Sequence, residues 1–205
     1  LTYNHHSIRA SEARFGARIK GMAASALPWI AGLLALLGVG LIAGMGDALG
    51  WLALASAVPA YMLRAYYQHQ LVPLPNGKGQ GLDAIIAGDV LGLLPANPTP
   101  ADIAAAAGRS GSGQFMGARL GLTPSLLTQL ASTDGGRTPE LWQLADEIRA
   151  KNGLSQITGS VLAVAIVRSF VGYESIIAQI HLSDEDMDKG VQWQAHLLEL
   201  IDRHT

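Results

Sequence analysis

LPWIAGLLALLGVGLIAGMG, Leu27 to Gly46, holds no charged residue over about twenty positions. At 1.5 Å rise per residue a helix of that length crosses a hydrocarbon core of roughly 30 Å, so the stretch reads as a membrane span. After Gly46-Asp47 the run from Ala48 to Leu63 is again uncharged and closes on Arg64, Tyr66 and Tyr67. It is short for a second span and needs Arg64 to snorkel or the bilayer to thin. Trp29, Trp51, Tyr61, Tyr66 and Tyr67 lie toward the ends of the two runs, where amphipathic rings prefer the headgroup layer. With Arg64 they are the expected interface anchors.

Two other readings compete. A cleaved signal peptide has a shorter apolar centre and a small-residue cleavage site, and is not followed at once by a second apolar helix. A buried hairpin of a soluble protein keeps a polar face, which this run lacks. Gly32, Gly38, Gly40 and Gly44 fit close helix contact in lipid. Arg9, Arg14, Arg18 and Lys20 precede the first run, Arg64 and Lys78 follow the second, and the turn carries only Asp47. That asymmetry places both termini on the cytoplasmic side of an inner or plasma membrane. Ser11 to Lys20 reads either as a solvated basic flank or as a short amphipathic helix lying on anionic lipid.

The chain is 49% hydrophobic and 15% charged, with Asp47 the sole formal charge between Gly21 and Leu63; outside that stretch the composition is close to that of a soluble domain. A net charge of −2, without a basic patch interleaved with aromatics, argues against a nucleic-acid partner. The absence of cysteine excludes disulfides, thiolate zinc sites and thiol nucleophiles. The chain opens at Leu1 without a methionine and stops at Thr205 soon after an amphipathic run, as a piece of a longer protein would.

Working outward, residues 1–20 form a basic cytoplasmic flank, 21–70 the transmembrane hairpin, 71–81 a linker and 82–205 a helical domain. The linker VPLPNGKGQG combines two prolines with three glycines. Beyond it every strong periodicity is helical, beginning with Leu82, Ile85, Ile86, Asp89, Val90 and Leu93, and the alternation of strands is missing, which predicts an all-α fold. Thr99-Pro100 opens a helix to Arg109, ended by a flexible Gly/Ser turn from Gly108 to Gly113. Gln114 to Leu120, Thr123-Pro124 through Leu130, Thr138-Pro139 to Lys151, Ser155 or Thr158 to Phe170, and Tyr173 to Ile180 are the next helices. Ser183-Asp184-Glu185 caps the last.

Phe115 to Pro124 and Ser175 to Asp184 both run through a short apolar helix into a leucine and a helix cap, which predicts a pseudo-repeat of about sixty residues. Thr138-Pro139-Glu140-Leu141-Trp142-Gln143-Leu144-Ala145, followed by Ile157-Thr158-Gly159-Ser160-Val161-Leu162-Ala163-Val164-Ala165-Ile166, resembles the first two helices of a repeat in the N-terminal domain of the Clp family of AAA+ protein unfoldases. Glu174 to Ile177 and Ser183 to Ile201 are similar to the third and fourth. Thr99 to Ala106 and Phe115 to Leu122 match less closely. The resemblance covers about Leu82 to Asp202 and rests on apolar spacing. It implies two four-helix repeats that dock adaptors or unfolded protein clients and pass them to an AAA+ ATPase ring, located downstream in the same chain or in a partner.

No G-x-x-x-x-G-K-[ST] phosphate cradle is present, since Gly77-Lys78-Gly79 lacks the upstream glycine and the hydroxyl. Asp184, Asp186 and Asp188 fail the calcium-loop pattern, which needs glycine and glutamate where Lys189 and Ala195 stand; they read as first-turn acids favoured by the helix dipole. His5, His6, His69, His181, His196 and His204 form no helix-borne zinc pair. No nucleophile elbow can be written around Ser110 and Ser112. No catalytic, cofactor or metal site is therefore assigned. Trp142 and Trp193 are expected in the core, while Phe115, Phe170 and Tyr173 are the candidate peptide- or adaptor-docking residues. The function expected is a membrane-tethered recruiting domain, not an enzyme; the alternative is a non-catalytic structural subunit of a larger membrane complex.

Overall fold

The computed structural model describes residues 2–45, 48–69, 77, 81–133, 137–179 and 181–202, without side chains at 45, 64–69 and 201–202. Every element among them is a helix. The chain divides into two compact units, Arg14–Val72 on the one hand and Leu1–Ala13 with Pro73–Thr205 on the other.

The first unit is built from α1 (Ile8–Met45), of which it takes all but the opening turns, and α2 (Ala48–His69). α1 is long and apolar enough to cross a membrane: its most apolar window has a mean hydropathy of 2.2 and is only 6% buried. Met22, Trp29, Leu33, Leu36 and Val39 are exposed along it. The apolar part of α2, Ala48–Leu63, is shorter than a self-sufficient span.

Of the four glycines read as helix contacts, one meets the neighbouring helix. A methyl group added at Gly38 would lie 2.9 Å from the Gly50 carbonyl oxygen, and one added at Gly50 would lie 2.7 Å from Ile42 Cγ1. Gly32, Gly40 and Gly44 have open space where a side chain would stand. Backbone therefore touches backbone at Gly38 and Gly50, which only residues without a Cβ allow.

The second unit contains α3 (Leu82–Ile85), α4 (Gly88–Leu91), α5 (Pro100–Arg109), α6 (Gly111–Leu120), α7 (Pro124–Thr133), α8 (Thr138–Lys151), α9 (Gly159–Ser169), α10 (Tyr173–Gln179) and α11 (Asp184–Asp202). Every residue of α9 from Gly159 to Val167 is buried. α5, α6, α7, α8, α10 and α11 all pack on it. α9 and α10 together are apolar enough to pass for a span, but they meet at 115° and α9 lies inside protein. A helix apolar all round demands such a surround, and here helices supply it.

The caps predicted at Thr99, Thr123 and Ser183 form, but Thr138 does not cap α8: it is already inside the helix, Arg137 stands at the N-cap without a side-chain hydrogen bond, and Thr138 Oγ1 donates instead to Pro98 O at 3.4 Å. Thr99 Oγ1 accepts from the Asp102 amide at 3.3 Å while Asp102 Oδ2 accepts from the Thr99 amide at 3.0 Å. Thr158 caps α9 through the Val161 amide, and Ser183 and Asp186 make the same reciprocal pair at α11. Each such cap contributes about 1 kcal/mol.

Three further sequence readings are corrected. The segment from Gly108 to Gly113 is not a flexible turn: Ser110 is buried, ends α5 and caps α6 by accepting from the Gly113 amide at 3.1 Å. The periodic run from Leu82 to Leu93 is not one helix, because Ile86 is extended and bridges Ile157, with Ala87 N donating to Ile157 O at 2.9 Å. Tertiary pairing overrides the local period there. The stretch read as a solvated flank is divided: Leu1–Ala13 belongs to the helical unit, where buried Arg9 donates to the carbonyls of Asp83 and Ile86 and Thr2 O accepts from the Leu82 amide. The linker reading falls almost wholly outside the described residues.

The α5–α6 junction presses directly on the first turn of α9: a methyl group at Gly159 would stand 1.8 Å from Ser110 Oγ. Gly159→Val is expected to destabilise the helical unit by about 3 kcal/mol through overpacking. Urea unfolding followed by the near-ultraviolet dichroism of buried Trp142 measures it; an unchanged midpoint would mean that the junction yields freely.

Candidate functional site

α6 and α11 pack on one another and bring three side chains together at the surface. Phe115, half-buried on α6, meets Trp193 of α11 edge to face, with centroids 5.9 Å apart and planes at 88°. Arg119, one turn beyond Phe115, lies 4.4 Å over the centre of the Trp193 ring. The T-shaped pair and the cation–π contact contribute about 0.5–1 kcal/mol each at an exposed site. Trp193 is nevertheless 44% exposed. The expectation that it packs the core is corrected, while Trp142, 3% exposed, does so. The physical reason lies in the position of α11: Met187, Val191 and Gln194 take its inward face, and Trp193 falls outside that arc.

Phe170 and Tyr173 belong to a different corner. Phe170 caps the C-terminal end of α9, Tyr173 starts α10, and both are half-buried against the core. Tyr173 donates its hydroxyl to Asp184 Oδ2 at 3.1 Å, and Arg168 Nε donates to Asp184 Oδ1 at 3.0 Å. Arg168 also pairs with Asp188 at 3.1 Å, and Lys151 Nζ reaches the other Asp188 oxygen at 2.7 Å. These contacts tie α8, α9, α10 and α11 into one latch. Hydrogen bonding to the Asp184 carboxylate raises the Tyr173 phenol above its ordinary range. Burial alone would raise the Asp188 carboxyl, but the hydrogen bond from Lys151 and the pairing with Arg168 outweigh it and hold it low. The acidic first turn of α11 is thus structural: Asp186 caps, and Asp184 and Asp188 pair with cations.

The three docking residues read from the sequence therefore do not make one groove. Phe115 stands with Trp193 and Arg119, and Phe170 and Tyr173 stand beside the latch. Sequence reading missed Trp193 and Arg119 as partners of Phe115, because the α6–α11 contact joins residues distant in the chain. The spacing of Phe115 and Arg119, four apart on a helix, was the only local signal. Of the residues expected as interface anchors, Trp29, Trp51 and Tyr61 are 77%, 66% and 61% exposed on α1 and α2. The side chains of Arg64, Tyr66 and Tyr67 lie outside the described residues.

A cavity of about 60 Å³ between Pro100, Leu130, Leu141 and Ile166 is far below the volume that holds a metabolite. Among the described residues no three His, Asp or Glu side chains are grouped to hold a metal ion. Set against known proteins, the chain matches no family model, no curated protein and no solved structure.

Because the Asp188 carboxyl is held below its unfolded value of about 4, the latch contributes its full stability above that pH and loses it as pH falls through the depressed value. Asp188→Asn is expected to lower the urea midpoint at pH 7 and to flatten its decline below about pH 4. An unaltered acid decline in the variant would assign the decline to other carboxylates.

Proposed function

We propose that this chain is a membrane-anchored recruiting domain that docks adaptors or unfolded clients for a Clp-type AAA+ unfoldase. α1 and α2 form its transmembrane hairpin, and the helical unit works from the cytoplasmic face. The observation that carries the docking role is Trp193, half-exposed and held in a fixed orientation by Phe115 and Arg119. A rigid indole beside a guanidinium is the composition of a binding hot spot, since it offers apolar area at little entropic cost.

The Clp-type assignment rests on the resemblance in Thr138 to Ala145 and Ile157 to Ile166, which fall on α8 and on the start of α9. The order of caps supports two repeats: a threonine-capped apolar helix, a middle helix and a helix with a hydroxyl cap occur as α5, α6, α7 and again as α9, α10, α11, although α6 is as long as its neighbours and α10 is shorter. The bare apolar surface of α1 and the backbone contact at Gly38 and Gly50 support the hairpin. Tethering raises the local concentration of the docking surface at the membrane, so modest contacts suffice.

The detergent-solubilised full chain is expected to retain a AAA+ ring and to bind a carboxymethylated, permanently unfolded protein. Phe115→Ala with Trp193→Ala should weaken that binding by about tenfold, a loss of about 1.4 kcal/mol, with helicity unchanged. Recovery of a stoichiometric integral-membrane assembly, with no ring and no unfolded-protein binding, would favour the structural-subunit alternative.

A further inference from the structure

The cluster of Phe115, Trp193 and Arg119 carries a charge that the described part of the fold does not use. Arg119 is the only charged residue of α6, and it is exposed. It lies 4.4 Å over the centre of the Trp193 ring, and among the described residues it makes no ion pair. The acids of the facing helix are engaged elsewhere: Asp184 and Asp188 hold Arg168 and Lys151, Asp186 caps α11, and Glu185 pairs with Lys189 at 2.8 Å. The remaining acid of α11 whose side chain is described, Glu199, stands six residues beyond Trp193, about 120° round the helix and turned away from the indole.

A guanidinium laid on an aromatic ring keeps its N–H donors at the edge of its own plane, so stacking and hydrogen bonding do not compete. Those donors form a fork that fits a carboxylate through two parallel bonds. The ring contact also orders the Arg119 side chain before anything binds, which lowers the entropic cost of the next bond. Beside it the indole is 44% exposed, and Leu200, two turns further along the same stripe of α11, is 39% exposed. A cation next to an apolar strip, with no acid facing it, complements an acid next to a large apolar group. Side chains i and i+2 of an extended segment stand on one side about 7 Å apart, enough to reach from the indole past the 4.4 Å contact to the outer edge of the guanidinium.

We infer that the docking surface selects an unfolded segment in which an acidic side chain lies two residues from a large apolar one, with the carboxylate bonded to Arg119 and the apolar group laid on Trp193. The inference rests on the docking reading of Trp193 and adds the client chemistry that this surface prefers. An internal acid is the source of the carboxylate, because a chain has one terminal carboxylate, whereas recruitment of unfolded clients requires a feature that recurs along them. The net charge of −2 opposes acidic ligands at long range, so a preference for them originates in the local field of Arg119.

The test titrates the detergent-solubilised full chain into peptides of glycine and serine that carry a phenylalanine and, two residues later, either glutamate or glutamine. Each has a rhodamine label at its start and an amide at its end, and a third, glutamine-bearing peptide ends instead in a free carboxylate. Fluorescence anisotropy is expected to show the glutamate peptide bound about fivefold more tightly than its amidated glutamine counterpart. Arg119→Gln should abolish that ratio with helicity unchanged, and Arg119→Lys should retain part of it. If Arg119 served only to hold the indole, Arg119→Gln would weaken both peptides alike and leave the ratio standing, which overturns the inference. Equal affinity of the unaltered chain for the two peptides overturns it as well, and leaves the docking surface intact where Trp193→Ala weakens both. A preference confined to the peptide with the free terminal carboxylate overturns the assignment to an internal acid. Peptides that bind the Trp193→Ala chain as tightly as the unaltered one overturn the docking reading and the inference together.

Discussion

The enclosure of α9 is the constraint on which the helical unit depends. From Gly159 to Val167 it presents apolar or small side chains in every direction, and such a helix is stable only when neighbours cover its full circumference. Six helices do so, and their caps, turns and charges are arranged around that requirement. Gly159 and Ser110 set how closely the α5–α6 junction approaches, and the Lys151–Asp188–Arg168–Asp184 latch holds α8 and α11 against the far end of α9. The short helices α6 and α10 gain their stability from the same packing, since segments of that length are marginal in isolation.

The hairpin unit follows a different rule. Many large apolar side chains on α1 and α2 stand exposed, while at the inner contact Gly38 and Gly50 let the two backbones approach beside the Ile42 and Leu54 side chains. In water this would invert the usual placement of apolar surface. In a lipid solvent it is the expected arrangement, because apolar exposure carries no penalty there and close backbone packing supplies the attraction. The proposed anchor rests on that inversion.

The docking surface illustrates how a site arises from packing. Phe115 carries no chemistry that separates it from a core residue, and Trp193 lies at a position where a tryptophan is most simply read as core. Their meeting depends on α6 and α11 crossing, and on Met187, Val191 and Gln194 claiming the inward face of α11. Arg119 then has a ring to lie on. The latch at Tyr173 was equally invisible, since Lys151, Arg168 and Asp188 come from three helices.

Periodicity and caps determined the helical class, the helix starts set by Thr99 and Ser183, and the uncharged, apolar character of the first long helix, because each is encoded within one turn or one helix face. That this helix begins as early as Ile8, and that Thr158 and not Ser155 caps α9, came with the structure. The tertiary structure alone decided that Gly108 to Gly113 is a buried joint, that Ile86 is extended, that Arg9 belongs to the helical unit, and that Gly38 but not Gly32, Gly40 or Gly44 meets the facing helix. Each of these depends on a partner far along the chain, and a short-range pattern holds no information about which distant backbone approaches it.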